Sequence, residues 1–304
     1  MPTARPSLPV IDTPGENEPP IRSRMLTGPG GRPELEFLEA GPAGRSVGPP
    51  ILLVHGAFGG AWMWREIFMP LMVGQGRHVA AVSLRGHGGS TGHERLSEWR
   101  LRDFADDVRR ACAELPEPPV LVGHSLGGLV AQMLIGRMPM RALVLLASLP
   151  PEGMLFLGPR LAATDPRIWL EAYMGSVARV RTPVGTTVQR ILFSEQLPLE
   201  RVLRYASRMT PESARALAEA HMPGPVMPAA WARTPTLAIG GELDRLVCTP
   251  SVLRTALYHG AEHRIASRIG HFPQLDLGAE EVAETILAWI DREVGPTAAP
   301  RASR

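Results

Sequence analysis

The chain has 304 residues, enough for one large domain or two small ones, with 44% apolar and 20% charged residues, the balance of a globular protein that can bury a full core. Its 32 basic and 30 acidic residues leave a net charge of +2 with no block of one sign, so neither nucleic acid nor an anionic membrane is expected as a partner. Lysine is absent, which closes off lysine-based chemistry.

Two cysteines, Cys112 and Cys248, are too few for a disulfide framework and imply a reducing compartment. Cys112 falls in a helical pattern and Cys248 follows an apolar pair, so both read as packing residues. Met1 to Met25 holds prolines and charges without the apolar stretch of a secretory leader. No apolar run reaches the roughly 18 residues of a membrane span. A cytoplasmic location is the expectation.

Residues 1–24 read as a loose arm. Glu34 to Glu39 alternates polar and apolar residues, the pattern of a half-buried, antiparallel strand. Ile51-Leu-Leu-Val54 is continuously apolar, which suits a strand covered on both faces, and it ends in His55-Gly-Ala-Phe-Gly-Gly60. A helix is predicted over 64–73, then a buried strand over 79–84 that leads into Arg85-Gly-His-Gly-Gly-Ser90. Ser97 is the expected N-cap of a helix over 98–115, where Leu101, Phe104, Val108, Cys112 and Leu115 recur at helical spacing.

The short strand Val120 to Val122 then enters Gly123-His-Ser-Leu-Gly127, and a helix leaves it. This G-x-S-x-G pattern builds a turn so tight that positions two before and two after the serine must be nearly bare. Gly128 would let the new helix sit close to its neighbours. A strand over 142–147 follows. From 151 to 231 the alternation stops, and only helical patterns occur, at 166–177, 183–193, 198–209 and 211–222. It resumes with a strand over 235–241, a helix over 250–258, a weaker strand over 263–269 and an amphipathic helix over 279–293. Residues 295–304 read as a disordered tail. Alternating β and α units imply a mainly parallel sheet with helices on both faces.

In such a sheet, ligands bind beyond the carboxyl ends of the strands. Ser125, Asp244 and His271 each follow a predicted strand, as does His55-Gly-Ala57. A serine hydroxyl becomes a useful nucleophile when an imidazole takes its proton, and the imidazole needs a carboxylate to fix its tautomer. The resulting oxyanion needs two N–H donors, assigned to the main chains of Ala57 and Leu126. This chemistry calls for no cofactor and no metal.

Five stretches carry a resemblance: His55 to Trp62, Arg85-Gly-His-Gly88, Gly123-His-Ser-Leu-Gly-Gly128, Gly241-Glu-Leu-Asp244 and Gly270-His271. From about residue 30 to residue 293 the chain resembles the α/β-hydrolase fold superfamily. The resemblance implies an α/β-hydrolase core over 25–150 and 232–294, with an all-helical cap (151–231) inserted after the sixth strand. Its first stretch is similar to small esterases and hydroxynitrile lyases, and its Arg85 loop to bacterial esterases, C–C hydrolases and perhydrolases.

Within that frame His271 is the expected base, and Asp244 is favoured over Glu242 by reach and family pattern. His55 and His124 have the spacing of residues that hydrogen-bond the oxyanion loop, and His87 that of a loop brace. His221, His259 and His263 are expected at the surface, and Asp106, Asp107 and Glu262 in solvent. Phe58, His124, Trp169, Tyr173 and Met174 are the candidate substrate contacts. Phe156, Phe193, Met209, Met222, Met227 and Trp231 would complete an apolar, methionine-rich roof.

The expected activity is hydrolysis of a small-molecule carboxylic ester. Dehalogenases and epoxide hydrolases of the fold need an aspartate where Ser125 stands, and its hydroxynitrile lyases use a lysine. C–C hydrolysis, lactone hydrolysis and perhydrolysis fit the same triad. A hydrolase-like ligand receptor with little turnover is the alternative from another class.

Overall fold

Four buried apolar runs set the sheet. The structure is a computed structural model, and it describes residues 20–42, 44–155, 157–166 and 184–295. Its strands are β1 (Arg22–Leu26), β2 (Leu35–Ala40), β3 (Ile51–Val54), β4 (Val79–Val82), β5 (Val120–His124), β6 (Ala142–Leu146), β7 (Thr236–Gly241) and β8 (Glu262–Ala266). They form one eight-stranded sheet in the order β1-β2-β4-β3-β5-β6-β7-β8. β1 and β2 run antiparallel, and all other neighbours are parallel. β3, β4, β5 and β6 are buried along their whole length.

Alternation within these apolar runs divides the core in two. Leu52, Val54, Leu121 and Leu143 face α2 (Leu101–Ala113), α3 (Ser125–Gln132) and α8 (Thr249–His259). Ile51, Leu53, Val122 and Val144 face α1 (Phe68–Gly74) and α9 (Ala279–Glu293). Ile286 and Ile290 of α9 are fully buried there, each contributing roughly 2 kcal/mol of transfer free energy.

Between β6 and β7 the described residues form helices only: α4 (Leu157–Thr164), α5 (Val184–Leu192), α6 (Leu199–Arg208) and α7 (Ala214–Ala220). α5 and α6 cover a third cluster in which Phe193, Val202 and Tyr205 pack on Trp62, Met63 and Phe272. No described helix is long and apolar enough to cross a membrane.

Several expectations are corrected. β1 lies partly inside the expected N-terminal arm. Arg22 to Met25 are exposed and only Leu26 is buried, so backbone pairing with β2 holds this charged edge. α2 begins at Leu101 and not after Ser97, which sits in a 3-10 turn over His93–Glu98. Its start is capped by Asp103, whose carboxylate accepts the Arg100 N–H at 2.8 Å. β8 ends at Ala266, three residues before the expected 269.

Asp107 is fully buried, and its carboxylate takes three bonds of 2.6–3.0 Å from the Arg85 guanidinium and one from the Arg85 N–H. Burial pushes its acidity toward the neutral form, and the Arg85 bonds oppose this. The pair ties the loop after β4 to α2. His259 is also buried; its Nδ1 accepts the Ala229 N–H and its Nε2–H donates to Gln132. Asp106 is half-buried, whereas His221 and His263 are exposed as expected. Residues 1–19 and 296–304 of the expected arm and tail lie outside the described residues.

Candidate active site

β5 runs directly into α3 at Ser125, whose φ of 50° is left-handed. That conformation costs a non-glycine residue roughly 1–2 kcal/mol and persists only where the surroundings enforce it. The enforcement is close packing of bare backbone. A Cβ on Gly127 would collide with the His55 carbonyl oxygen, and one on Gly123 would lie 2.7 Å from Gly127 O and Gly128 Cα. The turn stands the hydroxyl of Ser125 up at the end of the sheet, while the main chain of Leu126 opens α3. N–H groups of a first helical turn have no partner within the helix and carry its positive end.

Three strand ends converge on this serine. The Ser125 hydroxyl lies 2.9 Å from His271 Nε2, and His271 Nδ1 lies 2.8 Å from Asp244 Oδ2. Asp244 Oδ1 accepts the N–H groups of Leu246 and Val247, each at 2.8 Å. The carboxylate is thereby fixed on one side and presents a single oxygen to the imidazole. All three side chains are buried. Glu242, the rival acid, accepts the Arg268 N–H instead and is exposed.

His124 does not bond the loop after β3. Its Nε2–H donates to the His271 carbonyl at 2.8 Å, and burial, with His271 next, holds the ring well below the ordinary histidine pKa. It therefore braces the main chain of His271. Asp276, which the sequence reading passed over, braces the same loop: it accepts the Gly270 N–H at 2.9 Å and the Ser194 N–H at 2.8 Å. Only its distance of six residues from Gly270 hints at this, and Ser194 lies far off in the chain.

His55 does hold the loop. Its Nε2 accepts the Leu84 N–H at 3.0 Å, so the proton sits on Nδ1, which donates to Gly56 O at 2.7 Å. Gly56 C=O and Ala57 N–H share one trans peptide plane and point opposite ways, so this bond sets the direction of the Ala57 N–H. His87 braces the next loop, with Nδ1–H donating to Arg85 O.

Ala57, Phe58, His124, Ser125, Leu126 and His271 all line one cavity of about 100 Å³. The rest of its described lining is Leu149, Met154, Leu157, Leu192, Leu217, Leu246 and Phe272. Among the described residues this lining is rich in leucine, and Met154 is its one methionine. Met222, Met227 and Trp231 are exposed, and Phe193 packs in the third cluster. Trp62 and Trp64 are buried away from the cavity. Trp169, Tyr173, Met174 and Phe156 lie outside the described residues. Both cysteines are free; Cys112 is buried in the core, which pushes its thiol up to about 12. No cluster of metal-ligating side chains occurs among the described residues.

The buried histidines make stability depend on pH. Burial, with His87 next, lowers His55 to about 3, and burial lowers His259 to about 4. Both bind a proton more tightly in the unfolded chain, where the value is about 6.5. Their stabilisation is complete above that value and is lost as the pH falls from about 6.5 toward 4. Between pH 7 and 5 each should remove about 2 kcal/mol of unfolding free energy. Urea titrations at the two pH values check this, and His259→Gln should lose its share of the slope; an equal slope in both proteins would contradict the assignment.

The family model described as the alpha/beta hydrolase family matches residues 51–285. Norfluorocurarine synthase 1 of Strychnos nux-vomica is 36% identical over 106 residues, which is 33% of this chain and 39% of that protein. Protein phosphatase methylesterase 1 of Mus musculus is 32% identical over 89 residues, 28% of this chain and 23% of its own length. The chain thus spans well under half the length of these curated relatives. A solved carboxylesterase of Nitrososphaera gargenis superposes with a TM-score of 0.67 at 18% identity, over 89% of this chain and 100% of that one, a likeness of fold. With most of its length matched by the family model, and with the sheet order and elbow that it possesses, the chain belongs to the alpha/beta hydrolase family.

Proposed function

We propose that the protein is a serine carboxylic-ester hydrolase acting on small to medium hydrophobic esters through an acyl-enzyme. The observation that carries the reading is the hydrogen-bonded line from Ser125 through His271 to Asp244 at the floor of an apolar cavity. In this reading Ser125 Oγ attacks the ester carbonyl as His271 Nε2 takes its proton. Asp244 stabilises the imidazolium, and the N–H groups of Ala57 and Leu126 receive the oxyanion. His271 then protonates the departing alcohol, and later activates the water that releases the acid. Residues 151–231 act as a cap whose leucines hold the apolar part of the substrate, over a core of residues 25–150 and 232–294. The names of the similar proteins, a methylesterase and a carboxylesterase among them, belong to the same reaction class.

A fluorophosphonate probe tests the reading. It should label Ser125 within minutes, and p-nitrophenyl esters of graded chain length should turn over in the ordinary enzyme range of about 1–10³ s⁻¹. Rapid labelling with negligible turnover on every ester and lactone tried would favour the ligand receptor instead.

A further inference from the structure

The oxyanion donors are unequally secured. Leu126 belongs to a helix, but Ala57 lies in a loop with glycine at 56, 59 and 60, a composition that leaves the backbone free to move. His55 fixes the peptide before Ala57. The peptide after it needs a second hold, because Phe58 sits at a φ of 64°, left-handed for a bulky residue, and its side chain is 42% exposed. Packing of that side chain does not enforce the conformation.

Hydrogen bonds from one short stretch do. The Phe58 N–H donates to Glu212 Oε2 at 3.3 Å, and the Phe58 carbonyl accepts the Thr210 N–H at 3.1 Å. Glu212 is itself held firmly. Its side chain is 1% exposed, its Oε2 lies 3.0 Å from His87 Nε2, and its Oε1 accepts the Ser213 N–H at 2.7 Å. A buried carboxylate is expensive unless paired and hydrogen-bonded, and this one is held by His87 and Ser213 in the position from which it grips the loop.

Resting on the ester-hydrolase reading, we propose that Glu212 is a positioning residue. It clamps Phe58 and so holds the Ala57 N–H on the oxyanion, making the donor's alignment depend on the seating of the inserted helices. It touches no substrate atom; its effect runs through the loop.

Two variants separate the clamp from a plain ion pair with His87. Glu212→Asp keeps the charge but is one methylene too short to reach the Phe58 N–H. Glu212→Gln loses the charge and gives up the Ser213 N–H bond, but its one amide oxygen can still face the Phe58 N–H at that distance. The clamp predicts that Glu212→Asp lowers kcat about 10–100-fold with KM little changed, as expected for a misaligned donor. The affinity of an aryl trifluoromethyl ketone, whose hemiketal carries the oxyanion, should fall by the same factor, while product-acid inhibition stays put. Glu212→Gln should remain within about threefold of the parent, and circular dichroism should report both variants folded. The reverse order, or equal loss of ketone, substrate and product binding, would overturn the clamp and leave the hydrolase reading intact. A wild-type protein that neither turns over esters nor binds the ketone would overturn both.

Discussion

Ser125→Ala should lower kcat/KM for a short p-nitrophenyl ester by about 10⁵–10⁶-fold without loss of the fold. The backbone at this position is left-handed, and alanine bears the same strain as serine there, so the elbow has no reason to relax. The Ser125 carbonyl keeps the Leu149 N–H bond that anchors the following loop. What disappears is the single hydroxyl opposite His271 Nε2, and with it the covalent route. Residual catalysis from the oxyanion donors alone should be roughly 10³–10⁴ above water. Ser125→Gly adds a useful contrast: it removes the same hydroxyl and the left-handed penalty, so it should be inactive yet about 1 kcal/mol more stable than Ser125→Ala. Thermal unfolding and initial rates on the three proteins check both statements. Turnover above about 1% of wild type in Ser125→Ala would remove serine from the mechanism.

The parts of this molecule that are legible in the sequence are those whose cause is local. Ile51–Val54 reads as a doubly covered strand because four consecutive apolar side chains leave no wet face, and the structure starts and ends β3 at those residues. The glycines around Ser125 mark the elbow because nothing else fits against the His55 carbonyl. Asp244 and His271 are legible because each follows a strand, three and five residues beyond its end, directly after a glycine-marked turn, and the sheet then brings them together.

Distant pairings leave no such mark. β1 is held by backbone bonds to β2, and Arg22, Ser23 and Arg24 carry no alternation to announce it. Asp107 reads as a solvated helix position until Arg85 folds over it, and His259 reads as a surface group until Gln132 meets it from α3. The cavity lining is the extreme case. Leu149, Leu192, Leu217 and Leu246 come from two helices and two loops far apart in the chain, and nothing in a leucine tells which cavity it will face. Glu212 meets His87 and Phe58 across 125 and 154 positions of chain.

Asp244→Asn should lower kcat by about 10³–10⁴-fold while the protein stays folded, and the geometry says why an isosteric change is so costly. Asp244 Oδ1 already accepts the Leu246 and Val247 N–H groups at 2.8 Å. An asparagine must keep its carbonyl oxygen there, since turning the amide round would aim its NH₂ at two N–H donors. The amide nitrogen is then forced to face His271 Nδ1, where Asp244 Oδ2 now accepts. Two donors cannot share that contact, so the imidazole moves its proton to Nε2 and points a hydrogen at Ser125 in place of a lone pair. The base is lost although every heavy atom stands where it did. The oxyanion donors are untouched, so product-acid binding should not change, whereas ester turnover and fluorophosphonate labelling should slow together. Substituting Leu246 does not free the amide, because its bond is made by the main chain. If Asp244→Asn instead kept more than a tenth of wild-type kcat, the carboxylate would not be setting the tautomer of His271, and its two backbone bonds would be serving only the turn after β7.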